Sequence, residues 1–203
     1  MCFQSAKIRP FYSGIANLSK IFLLITFIAL ISGCDTGTDT NPNDFKDINV
    51  YFSPADKCDE KVVALIDSAK EELHIAVYSF NRQPISLAVI DAHNRGVTVK
   101  VIFDEGQLTG PNSRHIDLNN AGVAIKKDKP TTYSLSQMHN KFAVIDNRIV
   151  ITGSYNWTTN ATNNNDENLI VVTSPSIAAA YNTEFNRIWE HAVDLTASDL
   201  TSP

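Results

Sequence analysis

Met138-His139-Asn140-Lys141-Phe142-Ala143-Val144-Ile145-Asp146, followed after six residues by Gly153-Ser154-Tyr155-Asn156-Trp157, reads as a strand, a tight turn and a second strand. Phe142–Ile145 and Ile149–Ile151 are short apolar runs on either side of the turn residues Asp146-Asn147, the pattern of a β-hairpin. Alternate side chains of an extended chain share a face, which sets His139 and Lys141 side by side. Asp146 falls in the turn, on the opposite parity, and is expected to fix nearby backbone through its side chain. Gly153 suits a turn or a close backbone approach.

Outward from this hairpin, strands alternate with helices. Ile48–Ser53 reads as a strand, and Asp59–Glu71 carries Val62, Val63, Leu65, Ile66 and Ala69 at helical spacing. Leu73–Phe80 is a strongly apolar strand. Pro84 opens a helix running to about Asn94, which Gly96 is placed to end. Val97–Phe103 is a further strand, then come a polar loop, a short helix at Arg114–Asn120 and a strand near Val123–Lys126. Asn168–Val172 is a late strand and Pro175–His191 a closing helix with Ile177, Tyr181, Phe185, Ile188 and Trp189 facing inward. The order predicts an α/β fold, a mixed β-sheet flanked by helices on both faces, over residues 48–192, with a polar tail at 193–203. No internal repeat is evident.

An imidazole and an ammonium on one face suit attack on a phosphodiester. Imidazole is the side chain most readily available as a neutral nucleophile or proton carrier near neutral pH. Lys141 can offset charge that builds on the non-bridging oxygens, and Ser154 and Asn156 can add hydrogen bonds to them. Glu167 is a carboxylate that could hold the His139 tautomer.

His139-x-Lys141-x4-Asp146-x6-Gly153-Ser154 resembles the signature of the phospholipase D superfamily at every defining position, with Asn156 and Glu167 where that family places a phosphate ligand and a histidine-orienting acid. Tyr51–Pro54 (YFSP) and Ala76–Phe80 (AVYSF) are similar to its small bacterial endonucleases. The resemblance runs from about residue 48 to 190. It implies two-step phosphodiester hydrolysis without metal or other cofactor, through a phosphohistidine, while a second histidine protonates the leaving oxygen. One motif supplies one such histidine. The expectation is therefore a two-fold homodimer with the two copies of His139 facing each other. Nucleic acid is the expected substrate, a phospholipid is the alternative, and an inactive nucleic-acid-binding module is a third reading that the complete set of motif residues opposes.

The first 20 residues carry Lys7, Arg9 and Lys20 and no acid, and Ile21–Ile31 is apolar except for Thr26. That run is short of the roughly 20 apolar residues a spanning helix needs and fits an export signal. Leu30-Ile31-Ser32-Gly33-Cys34 resembles the lipobox of bacterial lipoproteins. The resemblance implies a signal peptide over 1–33, lipidation of Cys34, a flexible tether over 34–47, and a cell-envelope protein held to a membrane and facing the periplasm or exterior. The rival readings are an ordinary signal peptide with a chance cysteine, or an uncleaved anchor.

Loss of the leader with its three basic residues takes the formal net charge from −5 to −8. Such a balance excludes sequence-blind adhesion to polyanions by overall charge, so a polyanionic substrate needs a local basic cleft. Lys127 and Lys129, in the Lys126–Lys129 cluster, are the candidates for guiding it, against the plainer reading of a solvated loop. Tyr133 and Arg114 are weaker candidates. No amphipathic segment suited to lipid insertion is evident, which disfavours a phospholipid substrate. Cys58, the one thiol left after processing at Cys34, is read as inert, and no zinc-type spacing of Cys or His occurs. His74, His93, His115 and His191 are read as packed or surface residues, and Tyr155 and Trp157 as core.

Overall fold

A computed structural model describes residues 46–129 and 136–201. The leader, Cys34 and the tether as far as residue 45 lie outside the described residues, as does Tyr133. No described helix is long and apolar enough to cross a membrane.

The elements run β1 (Asp47–Ser53), α1 (Cys58–Asp67), β2 (Glu72–Val77), α2 (Gln83–Asn94), β3 (Thr98–Asp104), α3 (His115–Asn120), β4 (Ala124–Asp128), β5 (Lys141–Ile145), β6 (Ile149–Gly153), α4 (Thr159–Asn163), β7 (Glu167–Thr173), α5 (Pro175–His191) and β8 (Val193–Asp194). They build one sheet in the order β1-β7-β6-β5-β2-β3-β4-β8. The strands β2, β3 and β4 are parallel, joined by crossovers through α2 and α3, and the other pairings are antiparallel.

Strand alternation sorts the apolar residues into two layers. Ile75, Val77, Val101, Phe103, Ala143 and Ile145 pack with Val62, Ile66, Ile85, Val89 and Leu118 of α1, α2 and α3. Their neighbours Ala76, Ile102, Phe142, Val144 and Val150 face the other way, against Ala178, Phe185 and Ile188 of α5. Each fully buried Val, Leu, Ile or Phe contributes roughly 1.5–3 kcal/mol, so both layers contribute to holding the sheet between them. The fold is thus the expected mixed sheet with helices on both faces.

The β5–β6 turn has a hydrogen bond from Arg148 N to the Ile145 oxygen, and its two central residues, Asp146 and Asn147, have φ of 50° and 51°. Asp and Asn tolerate this left-handed backbone, which is what a type I′ hairpin turn demands. The Asp146 carboxylate then accepts from the backbone N–H groups of Lys70, Glu71 and Glu72 at 2.8–3.2 Å. This capture ends the first helix at Asp67, four residues before the expected Glu71, and starts β2.

The segment expected as a polar tail is tied into the domain. β8 pairs with β4, Lys127 bonds the Asp199 carboxylate, and the Asp199 carbonyl lies 2.7 Å from Nε2 of His115. Hydrogen bonds from Thr196 and Lys127 outweigh the burial that opposes them and pull the Asp199 carboxyl down to about 2. His74 and His115 are buried; the first stacks on Phe185 at 4.6 Å, with Nδ1 2.9 Å from the Asn182 side-chain oxygen. Buried too are Tyr155, Trp157 and Cys58, whose thiol burial pushes up.

Among the described residues a single helix, α5, covers one side of the sheet, and none packs on the β1 end of that side. Ile48, Val50 and Phe52 alternate along β1, pair with Val172, Ile170 and Asn168 on that side, and are about half exposed, Phe52 by 56%. The sequence thus carries an exposed apolar stripe, as strand alternation rather than as an amphipathic helix.

Candidate active site

Apart from Asp146, which sits in the β5–β6 turn at the opposite end, the motif residues gather at one end of the sheet. His139 enters β5 and Lys141 is its first residue; Gly153 ends β6; Ser154 and Asn156 follow it; Glu167 opens β7. Antiparallel pairing of β5, β6 and β7 brings these termini together.

Lys141 and His139 are in direct contact. The ammonium donates to the His139 carbonyl at 2.8 Å and lies 3.2 Å and 3.4 Å from its two ring nitrogens. A ring nitrogen that accepts from an ammonium is one that carries no proton. Burial lowers the pKa of Lys141, while the Glu167 and Asp104 carboxylates favour its charged form.

Glu167 makes no bond to the His139 ring, contrary to expectation. Its carboxylate accepts from Ser154 Oγ at 2.6 Å and from Asn165 Nδ2 at 2.9 Å. Geometry explains the difference: the β6–β7 pairing sets Gly153 against Leu169, so Ser154 and not His139 stands beside the start of β7. The backbone N–H and side-chain amide of Asn168 donate to the same Ser154 hydroxyl at 3.1 Å and 3.2 Å. Gly153, at φ 143°, approaches the Asn168 carbonyl so closely that a Cβ there would stand 2.3 Å from its oxygen. The glycine thus serves the approach of β7. The Asn156 side-chain oxygen is buried with no protein partner among the described residues.

The lysine cluster divides. Lys127 is only 12% exposed in its side chain and is paired with Glu105 at 3.2 Å and Asp199 at 3.0 Å, bonds that raise its pKa. It is a structural tie, not the free guiding charge expected, because alternation along β4 turns it toward the C-terminal segment. Lys126 donates to the Trp189 carbonyl and sits over that ring. Lys129 alone among the three faces open space. It lines a cavity of about 310 Å³ together with Asp104, Gln107 and Gln137. Arg114 is engaged by Asp117 and the Asn81 carbonyl.

Several residues at this end escaped the sequence reading. Asp104, buried at the end of β3, accepts from Met138 N at 2.9 Å and so holds the backbone that leads into His139; burial raises its pKa. An acid closing the apolar run Val101–Phe103 was the available signal. Tyr78 packs its ring 4.5 Å from the His139 ring and 5.0 Å from the Lys141 ammonium. It falls in the AVYSF stretch, but nothing in the spacing of residues 76–80 marks it. Among the described residues no group of three or more His, Cys, Asp or Glu is placed to hold a metal ion.

A family model described as "Cardiolipin synthase, PLD-like domain" matches residues 62–189, more than half of the chain. The chain belongs to the phospholipase D superfamily.

Relatives in the superfamily cover it well. A phospholipase D of Rickettsia bellii is 31% identical over 179 residues, 79% of this chain and 87% of that protein. The mitochondrial cardiolipin hydrolase of Xenopus tropicalis is 37% identical over 135 residues, 66% of this chain, and the match spans 62% of the length of that relative. Among solved structures, Nuc of Salmonella typhimurium, a phospholipase D family member, aligns with a TM-score of 0.68 and 30% identity over 74% of this chain and 99% of Nuc. NucT of Helicobacter pylori aligns at 0.69 and 25% identity over 73% and 99%. The phospholipase D fold therefore extends over about three quarters of the chain.

Proposed function

We propose that the chain is a phosphodiester hydrolase acting on nucleic acid through a covalent phosphohistidine on His139. The observation that carries the proposal is the contact between the Lys141 ammonium and the exposed His139 ring at the open end of the sheet. In the first step a His139 ring nitrogen bonds phosphorus, the bond to the leaving oxygen breaks, and an imidazolium donates a proton to that oxygen. In the second, the same imidazole takes a proton from water, the water oxygen bonds phosphorus, and the N–P bond breaks. Lys141 and the Asn156 amide stabilise the non-bridging oxygens. Glu167 orients Ser154 and helps keep Lys141 charged.

The proton donor is His139 of a second copy, in a two-fold homodimer with a shared site. The open apolar face of β1 supports this pairing, since Phe52 stands opposite Asn168 at the active-site end of the sheet. The exposed charge of Lys129 supports a polyanionic strand as substrate, although Lys129 shares its cavity with the carboxylates of Asp104 and Glu105. Lipidation of Cys34 would hold this dimer at a membrane of the cell envelope.

A phospholipid substrate is the second reading. The cardiolipin hydrolase and phospholipase D names of the relatives favour it, and the exposed Ile48, Val50 and Phe52 give it a surface for lipid.

Cleavage of DNA, RNA and a phospholipid by residues 35–203 in excess EDTA, beside His139→Ala, tests both. Cutting of nucleic acid that vanishes in the variant is expected. Lipid cleavage alone replaces the first reading by the second, and activity that survives in His139→Ala overturns the mechanism.

A further inference from the structure

Tyr78 is held more tightly than a space-filling residue at the end of a strand requires. Its backbone N–H donates to the carbonyl of Asn140, the residue between His139 and Lys141, at 2.8 Å. Its ring lies tilted by 55° against the His139 ring and beneath the Lys141 ammonium. Its hydroxyl accepts from two side-chain amides, Gln107 Nε2 and Gln137 Nε2, each at 3.0 Å. Those two glutamines come from different places: Gln107 closes the short 3-10 turn after β3, and Gln137 precedes His139 by two residues. A phenol oxygen that accepts twice has both lone pairs engaged, so the ring is fixed at its far end as well as at its backbone. The core aromatics Phe80, Phe103 and Trp157 pack against one another without its help.

We propose that Tyr78 is a positioning residue for the His139–Lys141 pair, a clamped aromatic wall that keeps the ammonium against the imidazole. The proposal rests on those two groups being the reacting pair. The ring shields one side of the ammonium from water and attracts it through the π face. Without the wall, the four-carbon stem of Lys141 is free to swing its charge into solvent, away from the phosphorus that His139 attacks. The clamp also explains why a partly exposed segment, Ser136–Asn140, enters β5 on a defined path: Asp104 takes its Met138 N–H and Tyr78 takes its Gln137 amide.

Two variants separate the ring from the clamp. Tyr78→Leu removes both, and the pair Gln107→Ala with Gln137→Ala frees the hydroxyl while keeping the ring. The first measurement is the titration of the Lys141 side chain by NMR in isotope-labelled protein, assigned with Lys141→Arg; it needs no substrate. The groups acting on Lys141 are Glu167 from β7 and Asp104 from β3, which hold its proton on, burial, which takes it off, and the adjacent His139. Tyr78→Leu is expected to move the titration to higher pH, because burial is the largest influence on the ammonium, so the water it regains outweighs the lost attraction of the ring while both carboxylates remain. In cleavage, kcat should fall roughly 10- to 100-fold with KM changed by less than about threefold, the pattern of lost orientation. The double glutamine variant should lose several-fold in kcat with KM unchanged, and Tyr78→Phe should stay between it and the wild type.

An unmoved Lys141 titration in Tyr78→Leu overturns the proposal. Should Tyr78→Leu fail to fold, wild-type kcat and titration in the double glutamine variant overturn it instead. Activity retained by His139→Ala refutes the underlying reaction and leaves the titration to decide on Tyr78 alone.

Discussion

Lys141 donates through Nζ to the backbone carbonyl of His139, so the ammonium is anchored to the residue whose ring it flanks. The charge is partly withdrawn from water to stand there, and its pKa falls accordingly. Activity that depends on the ammonium is lost as pH rises through this lowered value. Glu167 favours the proton, so Glu167→Gln is expected to move the alkaline limb of kcat to lower pH. Lys141→Met should reduce turnover by about 10²–10³, the usual loss for a missing charge-stabilising donor. Steady-state rates across pH 6–11 on the pure proteins check both.

Asp146 bridges the β5–β6 turn to the start of β2 through three backbone N–H groups. Hydrogen bonds to a charged acceptor contribute more than neutral ones, so Asp146→Ala should cost about 2–4 kcal/mol in denaturant unfolding. Activity per folded molecule should stay near the wild type, because the turn lies at the far end of the hairpin from His139. A collapse in kcat with unchanged stability would assign the residue a chemical role instead.

Lys127 and Lys129 should respond differently to the same change. Lys127→Glu places a carboxylate against Glu105 and Asp199 and is expected to lower Tm, with little specific effect on substrate affinity. Lys129→Glu should leave Tm unchanged, weaken polyanion binding and reduce its salt slope by about one. Binding isotherms at several salt concentrations, beside melting curves, separate the two.

Phe52 is the most exposed of the three apolar residues on the open face of β1. If two copies pair there, Phe52→Asp should weaken the dimer by roughly 30-fold or more, as loss of a central aromatic contact does. Light scattering should then find monomer, and specific activity should fall on dilution. A dimer of unchanged strength moves the interface elsewhere.

Much of this fold was legible because strand alternation and helical spacing are written into local residues. Val97–Phe103 or the periodic Pro175–His191 can hardly pack otherwise. The short α4 was not legible: its residues Thr159–Asn163 have no apolar period, and the helix depends on the Thr158 hydroxyl accepting from Ala161 N. β8 was hidden for a related reason, since two residues become a strand only because β4 lies beside them. In the site, residue types and spacing were sufficient for His139 and Lys141, which are neighbours on one strand. Contacts between distant segments were not. Glu167 could be named but not given its partner Ser154, and Tyr78 and Asp104 reach the site from other strands.

β8 and the bonds of Asp199 bear on where this domain can be cut. They cap the outer side of β4, which would otherwise offer free N–H and C=O groups to any passing strand. A chain shortened at Ala192 keeps the whole active-site end, yet loses that cap and leaves Lys127 with Glu105 alone. Such a protein is expected to aggregate on concentration while a chain ending after Thr201 stays dispersed, so a C-terminal fusion belongs beyond that point.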